Sequence, residues 1–184
     1  MLLSTLSIRS LSKLLQSADD EVEQALEDLH AILDIPEDHA QPLHLHHPSF
    51  RDFLLDRKRC NDDNFWVNQP SAHERLASRC LELMSAPNGL RQDICNLSEP
   101  GMYRSEIDES RITASLPPEL QYACRYWVDH LERSQCGIKD RGATHRFLET
   151  HLLHWIEAMS LIDETGLCVQ LVVRLQSLVT VGFP

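Results

Sequence analysis

His44, His46 and His47 place three imidazoles within four positions, and such spacing could hold a metal. On a strand, His44 and His46 would point to one face, as ligands must. No third and fourth ligand follows at a recognisable interval, however, and none of the six cysteines forms a Cys-x-x-Cys pair. A metal is therefore not expected. His151 and His154, three apart on a helix, also share a face, but Leu148 and Trp155 beside them suggest a satisfied or partly exposed pair. The scattered Cys60, Cys80, Cys95, Cys124, Cys136 and Cys168 read as reduced thiols packed as small hydrophobes in a cytosolic protein. The six glycines are isolated, and no phosphate loop, G-x-S-x-G or H-E-x-x-H occurs. A Cys–His couple could be drawn from six cysteines and ten histidines, but nothing local singles one out. The chain is expected to be no enzyme, with no catalytic residue and no cofactor of its own.

Charge distribution narrows the partners. The 184 residues carry a net charge of −11, and between Leu14 and Phe50 there is no Lys or Arg at all. That stretch holds nine acids, from Asp19 to Asp38, and a surface built from it would repel phosphate. An apolar fraction of 42% with 24% charged residues is enough for a buried core. The most apolar segment, Leu167 to Phe183, is broken by Gln170, Arg174 and Gln176, so no membrane span is expected. Met1 to Ser10 lacks the architecture of a secretion signal, which makes a cytoplasmic location the expectation.

Helical spacing of Ile8, Leu11, Leu14 and Leu15 predicts a first helix over Ser7 to Gln16. Asp19 or Asp20 should cap a second, running to Ile32 with Val22, Leu26 and Leu29 on its inner face. Alternation at Leu33–Asp34–Ile35 and at Leu43–His44–Leu45–His46 predicts a short hairpin. Pro48 should then open a helix over Ser49 to Asp56. Helix, helix, hairpin, helix is a winged-helix outline. After a polar linker, Arg57 to Asn64, Ser71 should cap a helix ended by Pro87–Asn88–Gly89. Leu90 to Tyr103 reads as a short helix plus a turn at Pro100–Gly101. From Pro117 the stripe Leu120, Ala123, Cys124, Trp127, Val128 and Leu131 predicts a strongly apolar helix face. Thr144 should cap a helix bearing Phe147, Leu148, Leu152, Trp155, Ile156 and Met159. A last helix carries Leu171, Val172, Leu175, Leu178 and Val179, before Gly182–Phe183–Pro184. The expected fold is mainly α: a winged-helix-like subdomain, residues 1–64, then a helical superhelix-like stack, residues 65–184.

A winged helix invites DNA binding, in which the second helix enters the major groove. Here that helix carries six acids and no Lys or Arg, so duplex binding is disfavoured and protein packing expected. The tryptophan clusters Phe65–Trp66, Tyr126–Trp127 and Trp155–Ile156 fit a helix-stack core better than a base-stacking platform, which would come with a basic groove.

The segment Leu45–His46–His47–Pro48–Ser49–Phe50–Arg51–Asp52–Phe53–Leu54–Leu55 resembles the H-x-S-F-x-[DE]-F block of NACHT-type signalling ATPases. Phe65–Trp66–Val67, Asp93 to Leu97, Leu116 to Trp127 and His151 to Leu161 look like the fungal, HET-E-like vegetative-incompatibility members of that group. The resemblance extends over nearly the whole chain. It implies the winged-helix and superhelical region that follows a nucleotide domain and precedes WD repeats. It also implies that His47 occupies the position of the histidine that reaches the β-phosphate of bound ADP, a contact an imidazole can make as a donor. ADP or ATP would then enter only through a NACHT domain, in the same protein or a partner. The partners implied are protein domains (the NACHT core, WD-type repeats or other chains), not nucleic acid or membrane.

The function expected is that of a non-catalytic interaction and conformational-coupling region of a STAND-type ATPase in self/non-self recognition. A stand-alone helical adaptor is the alternative, and a winged-helix DNA-binding protein a disfavoured second one. An exposed apolar strip is expected where other domains dock.

Overall fold

The structure, a computed structural model, describes residues 2–99 and 101–179. The expected turn at Pro100 and the end at Gly182–Phe183–Pro184 lie outside the described residues. The chain is mainly α, with a two-stranded antiparallel sheet among the described residues.

Helix α1 (Ile8–Leu15) is capped by Ser7, whose hydroxyl accepts the Ser10 N–H at 3.2 Å. Helix α2 (Asp19–Leu26) is entered at Ala18 rather than capped by Asp19 or Asp20. Those two aspartates lie in its first turn, where the helix dipole favours negative charge, and the Glu21 carboxylate accepts the Ala18 N–H at 3.3 Å. The helix stops short of Ile32. A single 3₁₀ turn, Glu27–Leu29, follows it. The Ile32 carbonyl is then claimed by the His46 N–H at 2.9 Å, which commits this segment to the hairpin. Strands β1 (Leu33–Asp34) and β2 (His44–Leu45) pair Leu33 with Leu45 and Asp34 with His44. They are shorter than the alternation predicts. The Leu6 carbonyl accepts the Leu43 N–H at 2.9 Å, so the residues before α1 lie along the hairpin. Helix α3 (Ser49–Leu55) follows Pro48, whose φ of −63° is already helical.

Helix α4 (Gln69–Ser85) is capped by Asn68, not by Ser71. The Ser71 N–H is the group that the Asn68 side chain satisfies, at 3.1 Å. The helix ends in a turn that only glycine can close. A Cβ on Gly89 would sit 2.5 Å from the carbonyl oxygens of Leu83 and Met84. The adjoining Leu90 N–H bonds the Met84 carbonyl at 2.8 Å, so this backbone cannot retreat without losing a hydrogen bond. Gly89→Ala is expected to cost about 1–3 kcal/mol, read as a lower urea midpoint with an unchanged slope.

Among the described residues between Leu90 and Tyr103 the expected short helix is absent. Asp93 and Asn96 adopt φ of 49° and 48°, which break a helix, and Asp93 accepts the Leu97 N–H at 2.7 Å. Ile94 and Cys95 are nonetheless buried. A 3₁₀ turn (Arg104–Glu106) leads to α5 (Glu109–Ser115), capped by Asp108 through the Ser110 N–H at 2.8 Å. Helix α6 (Pro118–Arg133) lies at the centre, with α1, α4, α7 and α8 packed against it. Its whole predicted stripe is buried. Helix α7 (Ala143–Leu161) starts after Gly142 without a side-chain cap, and Thr144, expected as the cap, is buried inside its first turn. Helix α8 (Thr165–Leu178) closes the stack. Val179 lies beyond α8, paired with Ile138 in an isolated parallel bridge.

Trp127 and Trp155 meet edge to face at 5.4 Å with no exposed surface, and the Trp155 Nε1–H donates to the Cys124 carbonyl at 2.9 Å. Trp66, expected in the same core, is instead half-buried under the Arg57 guanidinium, 4.9 Å from its ring. All six cysteines are free thiols. Five are buried, and Cys136 is half-exposed.

Candidate functional site

His47 stands at the mouth of α3. Its Nδ1 accepts the Ser49 N–H at 3.1 Å and lies 2.8 Å from the Ser49 hydroxyl. The imidazole therefore caps the helix, taking the role that Ser, Asn or Asp usually fills. An Nδ1 engaged as acceptor carries no proton, so the neutral ring is protonated on Nε2. The ring is exposed, and Nε2 has no hydrogen-bond partner among the described residues. One nitrogen holds the backbone while the other presents a donor to solvent. That arrangement can offer a hydrogen bond to an anion brought against it. The helix itself is fixed at its far end, where the Leu54 carbonyl accepts the Val67 N–H at 2.9 Å.

His44 and His46 are also exposed, on and just after β2. Among the described residues no three His, Cys, Asp or Glu side chains converge in a way that could hold a metal. His151 and His154 do meet, with their Nδ1 atoms 3.2 Å apart and the His151 ring stacked on Phe147 at 5.7 Å. Burial lowers the His151 pKa, and His154 lowers it further.

Two polar clusters tie α1 and the residues before it to the stack. The buried Glu119 carboxylate on α6 accepts Lys13 Nζ at 2.7 Å and the Ser10 hydroxyl at 3.0 Å, both from α1. A buried carboxylate needs such partners to remain charged. The second cluster begins at the Leu3 N–H, which donates to the Tyr122 oxygen at 3.2 Å. With the Leu3 N–H already donating to its oxygen, the Tyr122 hydroxyl keeps its own proton partnered only by donating to His130 Nε2, 2.8 Å away, and that assignment places the His130 proton on Nδ1. That nitrogen faces His73 Nδ1 at 2.7 Å and donates to it. The remaining His73 proton sits on Nε2, buried and without a partner. Both rings are fully buried. Burial, with His73 and Arg133 adding to it, pushes the His130 pKa down to about 3, and burial with Arg133 lowers that of His73.

The sequence points to His47 through its resemblance block but to neither cluster. Ser10 and Glu119, like His73 and His130, are far apart in the chain, and only a tertiary fold brings them together. A buried Glu amid the α6 stripe is the one local signal that could have pointed to Lys13.

Apolar surface remains on the outside of the stack. Leu153 on α7 is 76% exposed, and Val169 and Val173, one turn apart on α8, are 61% and 60% exposed.

The chain is similar to the vegetative incompatibility protein HET-E-1 of Podospora anserina, with 31% identity over 151 residues, 72% of this chain. It spans only 11% of that protein's length. The similarity supports a HET-E-like relationship. No family model matches the chain, and no solved structure matches it.

Proposed function

We propose that this chain is a non-catalytic interaction and coupling region of a fungal NACHT-type STAND ATPase that acts in self/non-self recognition. His47 senses nucleotide only when a NACHT domain is present. The observation that carries the proposal is the division of labour on His47. Nδ1 is spent on the Ser49 N–H, so Nε2–H is fixed as the outward donor at an exposed position. The similarity to HET-E-1 supports the same assignment. ADP and ATP are ligands of the assembled pair, and the chain breaks no bond itself. Its partners are protein domains rather than nucleic acid. Asp19, Asp20 and Glu21 at the exposed start of α2 would repel a duplex, and a flat low-salt gel-shift titration is the expected result.

The coupling step needs the capped α3 region and the stack to respond together. The Glu119 cluster ties α1 to α6, the Leu3–Tyr122–His130–His73 chain ties the residues before α1 to α6 and α4, and the Val67 N–H holds the end of α3 beside the start of α4. Rigid-body rotation would be the mode of transmission.

Calorimetry of ADP binding to a NACHT-type nucleotide domain, with and without this chain, tests the sensing role. His47→Asn keeps a capping oxygen but removes the Nε2–H donor. It should leave the thermal midpoint within a few degrees of the parent and reduce the chain's enhancement of ADP affinity about tenfold. Equal ADP affinity with parent and His47→Asn would overturn the sensing role. A stand-alone adaptor, favoured by the exposed Val169 and Val173, predicts no ADP dependence in either form.

A further inference from the structure

A cavity of about 440 Å³ lies between α1, the hairpin and α3, partly open to solvent. Its volume falls in the range of about 300–1,000 Å³ typical of small-ligand sites. Leu11, Leu26, Leu33, Leu45 and Leu54 contribute to a wall in which ten of fifteen lining residues are leucine. The lining includes a single ionisable side chain, Arg51, and no acid. That is unexpected in a chain of net charge −11 whose residues 14–50 carry nine acids and no Lys or Arg. Arg51 is half-buried and makes no ion pair among the described residues. A guanidinium beside an apolar wall, without a carboxylate of its own, is matched by a ligand that brings one.

From this geometry we propose that the cavity binds a medium-chain fatty carboxylate, its alkyl chain among the leucines and its head group on Arg51. Ser4 and Thr5 also line the cavity and are its other polar residues, while the methylenes would replace water among the leucines. The site is separate from His47 and does not depend on the nucleotide proposal.

Titration calorimetry of the full chain with octanoate, decanoate, dodecanoate and decanol tests it. One carboxylate should bind per chain. Affinity should rise roughly threefold to fourfold for each added methylene until the cavity is full. Decanol should bind about tenfold more weakly than decanoate, and Arg51→Met should erase that difference without altering decanol binding. Leu54→Trp should block both ligands, and where that variant fails to fold, Arg51→Met with the alcohol comparison decides. Absence of saturable binding overturns the site. Equal affinity for acid and alcohol overturns the carboxylate assignment, and binding that persists in folded Leu54→Trp overturns its location.

Discussion

Trp127→Ala will lower the stability of the fold by about 3–5 kcal/mol, enough to leave little of a small domain's margin. Trp127 has no exposed surface and lies on the central helix against which α1, α4, α7 and α8 all pack. Phe147 and Trp155 both meet its ring edge to face at 5.4 Å. Removing the indole opens a void among rigid neighbours that cannot collapse onto it, because each is fixed from another side. Trp155, for example, is held by its bond to the Cys124 carbonyl. The indole Nε1–H of Trp127 is buried without a partner, so Trp127→Phe removes an unsatisfied donor together with ring volume. It should cost markedly less than the alanine change. Urea unfolding followed by far-ultraviolet circular dichroism would measure both, and comparable costs would show that packing around Trp127 is not the source.

Acid should weaken the fold steeply between pH 6.5 and 5, before most carboxylates titrate. His73 and His130 are neutral in the folded chain, because their facing Nδ1 atoms, 2.7 Å apart, have room for one proton and not two. Burial is the first cause of the lowered pKa of each. In the unfolded chain both titrate near the ordinary value of about 6.5. The folded pKa is the lower one, so the unfolded state binds more protons throughout the window between the two values. The stabilisation is therefore complete above pH 6.5 and is lost as pH falls towards the folded value, about 3 for His130. For His130 the loss approaches roughly 1.4 kcal/mol per pH unit, or on the order of 1–2 kcal/mol by pH 5, and His73 adds to it in the same direction. His151, also lowered, adds in the same direction. The double variant His73→Leu/His130→Leu should flatten the pH dependence of the urea midpoint over this range. An unchanged slope would contradict the proton assignment.

How much of this was legible in the sequence depends on whether the signal was local. The α6 stripe, the turn at Gly89 and the order of helices and hairpin in the first 64 residues follow from periodicity and turn chemistry that any short window contains. Caps were less readable. Asn68 and Ser71 are both competent acceptors, and only the start of the helix decides between them. Thr144 had the right chemistry but lies buried in a helix that starts without a side-chain cap. Helix α5 has little signature in the sequence although Asp108 marks its start, because Ile112 is the only buried residue it contributes and no stripe results. At the candidate site, family resemblance supplied the position of His47. The tautomer came only from its bond to the Ser49 N–H. The His73–His130–Tyr122 chain and the Glu119 cluster were invisible, since their members come from separate helices and have ordinary neighbours in sequence. The fatty-acid cavity was likewise hidden, because leucines at helical and strand spacing read as core whether or not the space between them is filled.

The claim that this chain reads nucleotide through α3 and passes the state to the stack is tested most directly by hydrogen exchange. The full chain would be bound to a NACHT-type nucleotide domain carrying either ADP or ATP. Amides of Ser49 to Leu55 should be more protected with ADP than with ATP, and those of α4 and α6 facing the His73–His130 contact should change with them. Identical exchange in the two nucleotide states, across both α3 and the stack, would contradict it.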